Sequence, residues 1–354
     1  MNNMEKYLSL LTDEVDGLLL TSRYSRYYGA EFDIAEGVAI VTKAGCRYFT
    51  DSRYIESAQN NIHCFEVIET NRANPYSQLL AKAIADFGVT CLGYEENYLT
   101  VAEFQYYEKN LDVKFVPLHK QISAFRCVKE DWELALMRKA QDITDLAFAE
   151  ICTKIKAGMT EKEVCAELIY CLLKNGADGL AFDPIVVSGP NTSMPHGVPG
   201  DRVLQAGDFI TMDFGAAYKG YCADMTRTVA LGYATEEMEK VYNTVLKAQC
   251  AAIAATKAGV KGKDVDAVAR NVIAEAGYGS YFGHGYGHSL GLEVHENPSP
   301  NARNDQPMPV GAVASAEPGI YLPGKFGVRI EDTCVFLPDG IEILTKSPKN
   351  LIIV

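Results

Sequence analysis

Residues 156–176, KAGMTEKEVCAELIYCLLKNG, recur in outline as residues 257–277, KAGVKGKDVDAVARNVIAEAG, 101 positions further along. Each copy reads as a turn followed by an amphipathic helix that stops at a glycine. Helix caps resemble one another, so this echo alone carries little. A second echo follows in the same order. GDFITMDFG (207–215) matches GAVASAEPG (311–319), aligning Gly207 with Gly311, Asp213 with Glu317 and Gly215 with Gly319. Asp224-Met-Thr226 then matches Glu331-Asp-Thr333. The expectation is two similar halves, each a helix layer plus a strand hairpin that bears two carboxylates. Packed face to face, they bring four carboxylates to one place.

The repeat begins only after a region of different character. Short apolar strands are expected at 15–22, 36–42, 47–54, 90–96 and 113–118, with a helix at 77–88. Strands alternating with helices indicate a small α/β domain. From Lys129 to Lys156 a long helical pattern takes over, with Trp132, Leu136, Ile143, Leu146, Phe148 and Ile151 as its apolar positions. The linker falls at 123–131. The division expected is 1–124 and 125–354, within an α/β (α+β) fold class; a length of 354 residues suits two domains.

Charge and cysteine usage exclude several roles. With 33 Lys+Arg against 46 Asp+Glu, the net charge is −13. Nucleic acid and anionic membrane surfaces call for a positive footprint, so neither is expected as a partner. No run of ~18 apolar residues is present that could span a bilayer. No basic stretch leading into an apolar core marks the N-terminus as a secretory signal. The ten cysteines are scattered without a CxxC pair, as in a reduced, cytoplasmic protein.

Four of the six histidines fall between 196 and 295, in glycine-rich surroundings. In FITMDFGAAYKGYCADMTRTVAL (209–231) a turn centred on Tyr218-Lys219 would set Asp213 directly opposite Asp224. Their Cβ atoms would then be ~5 Å apart, which like charges tolerate only with a cation between them. Thr226 would share that face and hydrogen-bond a carboxylate. In YFGHGYGHSLGLEVHENP (281–298), His284, His288 and His295 are interleaved with glycines that oppose a helix and let backbone approach a site closely. In VASAEPGIYLPGKFGVRIEDT (313–333), Glu317 lies in an apolar strand where a lone carboxylate is costly to bury. Arg329 sits two residues before Glu331 and so shares its face. His196 lies in a proline-punctuated loop, SGPNTSMPHGVPGDR (188–202), where a histidine is more often functional than on a helix face.

Four carboxylates and an imidazole exceed the three or four ligands of one zinc ion. They suit two divalent ions sharing bridging carboxylates, ~3.5–4 Å apart. The oxygen-rich set favours Mn, Co or Zn over a thiolate metal. Such a pair acidifies a bridging water and polarises a substrate carbonyl.

The combined pattern MDFG…CADMTRT, GHGYGHSLGLEVHE, AEPGIY and RIEDT resembles the pita-bread metallopeptidases, the group that holds methionine aminopeptidase, Xaa-Pro aminopeptidase, prolidase and creatinase. The resemblance spans the chain, with 1–124 similar to the creatinase-type N-terminal domain and 125–354 to the catalytic domain. It implies Asp213, Asp224, His288, Glu317 and Glu331 as ligands of two metal ions, Mn ahead of Co or Zn. Glu317 is also implied as the proton shuttle. His295 is implied at the scissile carbonyl, His196 in substrate contact across the site, and His284 as a proline-pocket or leaving-group contact. Tyr321 and Arg329 match supporting positions of the proline-specific branch. The filled ligand set speaks against creatinase, which works without metal, and against non-catalytic members of the fold. The N-terminal domain speaks against methionine aminopeptidase. Some prolidases carry an arginine four residues after the second motif histidine, where this chain has Ser299, and FTDSRY (49–54) is similar to the aminopeptidases. The expectation is therefore an Xaa-Pro aminopeptidase acting on short peptides with proline in second position, with a prolidase acting on dipeptides as the alternative and a non-catalytic peptide-binding member of the fold as a remoter one. The resemblance also implies a homodimer.

Overall fold

The computed structural model describes residues 2–354. Two compact units make up the chain, the first ending at Arg126 and the second covering Cys127–Val354. In the first, the strands are β1 (Gly17–Leu20), β2 (Val38–Thr42), β3 (Cys46–Asp51), β4 (Glu66–Thr70), β5 (Cys91–Tyr94) and β6 (Lys114–Pro117). They form one mixed sheet in the order β4-β3-β2-β1-β5-β6. β1 and β2 are buried along their whole length, and Leu19, Ile40, Phe49 and Leu92 join Leu80 and Ile84 of the helix Tyr76–Phe87 in the core.

The second unit opens with helices α1 (Asp131–Cys152) and α2 (Glu161–Lys174). The strands β7 (Gly179–Leu180), β8 (Ile185–Ser188), β9 (Phe209–Phe214), β10 (Ala216–Tyr218), β11 (Tyr221–Cys222) and β12 (Met225–Ala230) follow. Then come α3 (Glu236–Ala255), α4 (Gly262–Glu275) and the strands β13 (Val313–Ala316), β14 (Gly319–Leu322), β15 (Phe326–Arg329), β16 (Asp332–Leu337) and β17 (Gly340–Ile343). Helix pair and hairpin thus occur twice. Each copy has its own core. Ile143, Phe148, Leu168 and Leu172 of α1 and α2 pack on Ile210, Met212 and Val229, whereas Val241, Val245, Ala269 and Ile273 of α3 and α4 pack on Ile320, Val328 and Cys334.

The echo extends to individual bonds. Thr160 bridges Val203 and Lys261 bridges Pro307, the Gly158 N–H donates to Leu204 O and the Gly259 N–H to Met308 O. One detail of α1 departs from the sequence pattern. Trp132 and Leu146 are exposed, and the buried stripe runs through Leu134, Met137, Gln141, Thr144, Phe148 and Ile151. Polar residues occupy part of this stripe because Thr144 Oγ1 accepts from the Ala216 N–H.

Strands β9 and β12 show how the fold points groups at a site. Both are buried on two faces. Ile210, Met212 and Phe214 face the α1/α2 core, so Phe209, Thr211 and Asp213 face the other way. Opposite them lie Ala230, Thr228 and Thr226. That face runs from an apolar pair, Phe209–Ala230, through the hydrogen-bonded Thr211–Thr228 pair, to Asp213–Thr226 at its polar end.

Candidate metal centre

The β9–β12 hairpin corrects the expected register. Lys219 (φ 44°) and Gly220 (φ 79°) form the turn, closed by the Tyr218–Tyr221 pair. Positive φ at both central positions is the type I′ arrangement that matches strand twist. The turn centre lies one residue beyond Tyr218-Lys219, which moves the pairing by two. Asp213 therefore faces Thr226, and Asp224 does not lie opposite it. A shift of two leaves every side chain on its face, so Asp224 still points with Asp213 and Thr226. Asp224 lies in the break between β11 and β12, where the chain passes very close to Gly215. A Cβ at Gly215 would sit 1.8 Å from the Ala223 carbonyl oxygen.

The second hairpin repeats this device. β13 ends at Ala316 and β15 at Arg329, so Glu317 and Glu331 occupy breaks and not the strand interiors that the sequence pattern implied. Released from the ladder, these side chains turn inward. The 281–298 segment contains no helix beyond the single turn Gly279–Tyr281. Its Gly287 lies so near β13 that a Cβ would be 2.1 Å from Ser315 O.

All of the expected ligands line one cavity of about 630 Å³. Donor atoms of Asp224, His288 and Glu331 lie within 4.8 Å of one another. His288 Nε2 is 3.4 Å from Asp224 Oδ2 and 3.3 Å from Glu317 Oε1. The His288 Nδ1 is 3.2 Å from the Ser289 carbonyl oxygen, which can only accept, so Nδ1 carries the proton and Nε2 presents its lone pair to the two carboxylates. Burial lowers the His288 pKa and keeps the ring neutral.

Three carboxylate oxygens, Asp213 Oδ1, Asp224 Oδ1 and Glu331 Oε1, are buried and accept no hydrogen bond among the described residues. Burial, then repulsion from Glu331 and Asp213, pushes the Asp224 pKa well above the usual carboxylate range. Burial and the charges of Glu317 and Asp213 do the same to Glu331, and burial raises Glu317. Such oxygens facing a lone pair repel one another unless cations stand among them. The donor set, four carboxylates and one neutral imidazole, fits divalent ions that prefer oxygen with some nitrogen.

One arginine organises this charge. Arg329 is 3% exposed. Its Nη2 donates to Asp213 Oδ2 at 2.6 Å and its Nε to Thr226 Oγ1 at 3.1 Å. Thr226 Oγ1 donates in turn to Glu331 Oε2 at 2.6 Å. Arg329 Nη1 donates to the Tyr321 hydroxyl at 2.9 Å, and that hydroxyl is 2.8 Å from His284 Nε2. Burial pushes the Tyr321 phenol up to about 12, so it holds its proton and donates to His284. The His284 Nδ1 is 2.8 Å from the Gly285 carbonyl oxygen. Both His284 nitrogens are thus engaged within the protein, leaving ring carbons for any ligand contact. His196 and His295 are exposed and line the cavity. Burial, then the charge of His288, lowers the His295 pKa.

Four supporting groups escaped the sequence reading. Ser315 Oγ accepts from the His288 N–H and donates to Glu317 Oε1. Arg227, buried on the reverse of β12, donates to the carbonyls of Thr226 and Glu331 and pairs with Asp332. An arginine at the centre of the otherwise apolar-and-threonine strand MTRTVA was the available signal. Thr333 Oγ1 donates to Asp224 O. Arg270 of α4 pairs with Asp266 and donates to the carbonyls of Phe282 and His284, pinning the histidine loop. The i,i+4 spacing of Asp266 and Arg270 reads as a surface pair, which hid this role.

Two copies of one helix-and-hairpin unit, closing on a cavity of carboxylates and a neutral imidazole, define a metal-dependent hydrolase of pita-bread fold. The chain belongs to metallopeptidase family M24, whose family model matches residues 135–337; the creatinase/prolidase N-terminal domain model matches residues 8–128. A Xaa-Pro dipeptidase from Pyrococcus horikoshii is 34% identical over 99% of both chains. A solved Xaa-Pro dipeptidase from Bacillus anthracis superposes with a TM-score of 0.96 at 40% identity, covering 99% of each chain. An X-Pro aminopeptidase structure from Thermotoga maritima gives 0.94 at 39% identity, covering 100% of each. Among the described residues no helix is long and apolar enough to cross a membrane, and all ten cysteines are free.

Proposed function

We propose that this protein is an Xaa-Pro dipeptidase, a prolidase that hydrolyses dipeptides ending in proline with two divalent ions, Mn ahead of Co or Zn. The observation that carries the metal-dependent part is the trio of buried, donor-free oxygens on Asp213, Asp224 and Glu331. The preference for dipeptides reverses the order expected from the sequence, and the dipeptidases from P. horikoshii and B. anthracis support the reversal. The T. maritima neighbour and Ser299 support the aminopeptidase as the second reading. A homodimer and a cytoplasmic location complete the proposal, the latter supported by ten free cysteines.

Asp213, Asp224, His288, Glu317 and Glu331 would hold the ions, which when bound supply Lewis acidity at the scissile carbonyl and a water acidic enough to ionise near neutral pH. The remaining work belongs to side chains. Arg329 and Thr226 fix Asp213 and Glu331 against mutual repulsion. Glu317 takes the proton of the attacking water and delivers it to the proline nitrogen as the C–N bond breaks. The neutral imidazole of His295 donates to the carbonyl oxygen as charge grows on it. His196 holds the substrate from the opposite wall.

The substrate carboxylate has a candidate partner. Arg270, Arg303 and Arg329 line the cavity. Arg270 and Arg329 are committed to Asp266 and Asp213. Arg303 is exposed, and no carboxylate among the described residues engages it. Arg303→Ala is expected to raise KM for Ala-Pro about tenfold, the loss of one charge-assisted hydrogen bond, with kcat little changed. An unchanged KM for Ala-Pro in Arg303→Ala would remove Arg303 from this role.

The deciding experiment is cleavage of Ala-Pro, Ala-Pro-Ala and Met-Ala-Ser after chelation and again with added Mn. Metal-dependent cleavage of Ala-Pro alone is expected. Release of Ala from the tripeptide would install the aminopeptidase instead, and release of Met would refute both.

A further inference from the structure

The loop that brings His196 to the cavity is held by a group outside the reaction chemistry. It leaves β8 at Ser188, makes one tight turn over Gly189–Ser193, and then runs through Pro195 and Pro199. Prolines donate no backbone hydrogen bonds, and the tip is open to solvent, with Val198 82% exposed beside His196. Two local turns, Met194 N–H to Asn191 O and Gly197 N–H to Met194 O, shape the tip but do not tie the two ends of the loop together. Both ends of the loop meet at one carboxylate. Glu161, with 0% exposure, is the first residue of α2. Its Oε1 accepts from the Ser188 N–H at 2.7 Å, from Ser188 Oγ at 2.8 Å and from Asn191 Nδ2 at 3.0 Å. Its Oε2 accepts from the Gly200 N–H at 2.9 Å.

Nearby Arg202 is ion-paired with Asp208 and also donates to Ser188 Oγ. Glu161 thus spends its charge on four neutral donors and the positive end of α2. Burying a carboxylate in this way is expensive unless the donors it gathers matter. They come from either side of His196, and the same loop presents the Pro195 carbonyl to Arg329 Nη1.

We propose that Glu161 is a positioning residue for the reaction: its carboxylate closes the 188–200 loop and so aims His196 at the substrate. The proposal rests on the reading of His196 as a substrate-contacting group. Glutamine at 161 keeps the shape but replaces one acceptor with an NH₂ that meets a donor, so it releases one end of the loop.

The test is a double-mutant cycle on the metal-loaded full chain with Ala-Pro, using Glu161→Gln, His196→Ala and their combination. Each single change is expected to lower kcat/KM about tenfold or more. The combination is expected to be no worse than the weaker single variant within about twofold, because Glu161 acts through His196. Elemental analysis is expected to find the parental metal content in Glu161→Gln. Losses that multiply, or metal that disappears, would overturn the proposal. A His196→Ala enzyme as fast as the parent would overturn the reading of His196 and this proposal with it. Where Glu161→Gln fails to fold, Asn191→Ala replaces it in the cycle, since it removes a single donor. Its smaller loss is expected to vanish in the His196→Ala background, and a loss that persists there overturns the proposal.

Discussion

Asp224→Asn is expected to do two opposite things: silence peptide hydrolysis by ~10³-fold or more, and raise the melting temperature of the metal-free protein. Loss of a group that merely orients a metal ligand costs ~10–100-fold, so loss of a ligand should cost more. The stability gain follows from the environment of the side chain. Asp224 is 3% exposed, its Oδ1 accepts nothing, and Glu331, Asp213 and Glu317 all repel its charge. Asparagine has nearly the same shape without the charge, and its amide offers hydrogens to acceptors such as Glu331 Oε1. Asparagine carries neither the charge this site repels nor the cost of holding a proton on the carboxyl, so the chelated protein should be more stable by about 1–2 kcal/mol, or roughly 2–8 °C for a unit of this size. Calorimetry of chelated parent and variant, with metal content measured alongside, checks both halves. A variant that is inactive but melts lower would mean that Asp224 supports the fold and not the ions.

Such a trade of stability for function also explains what could be read from the residues alone. The duplicated helix-and-hairpin pattern was legible because burial imposes it twice: Leu168 and Leu172 in one half and Ala269 and Ile273 in the other must face a sheet. The carboxylates were legible because Glu317 and Asp224 interrupt apolar strands for no packing reason. The facing of Asp213 was not, since register depends on whether the turn centres on Tyr218-Lys219 or Lys219-Gly220, a difference of one residue that only the backbone conformation decides. The strand breaks at Asp224, Glu317 and Glu331 were equally hidden, because a continuous apolar run looks the same whether or not the chain changes sheet within it. Ser315 and Arg227 act through backbone groups far along the chain, and no local pattern records such a partner. The resemblance implied His284 as a proline-pocket or leaving-group contact, and only the Arg329–Tyr321–His284 relay shows both of its nitrogens in use.

Removing the ions should expose the electrostatic problem that the site contains. Chelation is expected to abolish Ala-Pro cleavage and Mn to restore it, but stability against pH is the more searching measurement. In the metal-free fold the pKa values of Asp224, Glu331 and Glu317 are raised, first by burial. Below the unfolded pKa of ~4 these groups are protonated in both states and the fold is unpenalised. Above it the unfolded chain gives up its protons while the native site retains them. The native state then binds more protons, so stability falls as pH rises, by up to ~1.4 kcal/mol per pH unit for each proton retained, until the folded pKa is passed. Divalent ions reverse the sign by favouring the charged carboxylates, so loading must expel protons. The gap between Mn-loaded and chelated melting temperatures should therefore widen from pH 5 to pH 8. Titration calorimetry of Mn into the chelated protein near pH 6 should return different apparent enthalpies in buffers of different ionisation enthalpy. A constant gap together with identical enthalpies would mean that the carboxylates are already charged before the metal arrives, and that Arg329 and Thr226, not the ions, hold this site together.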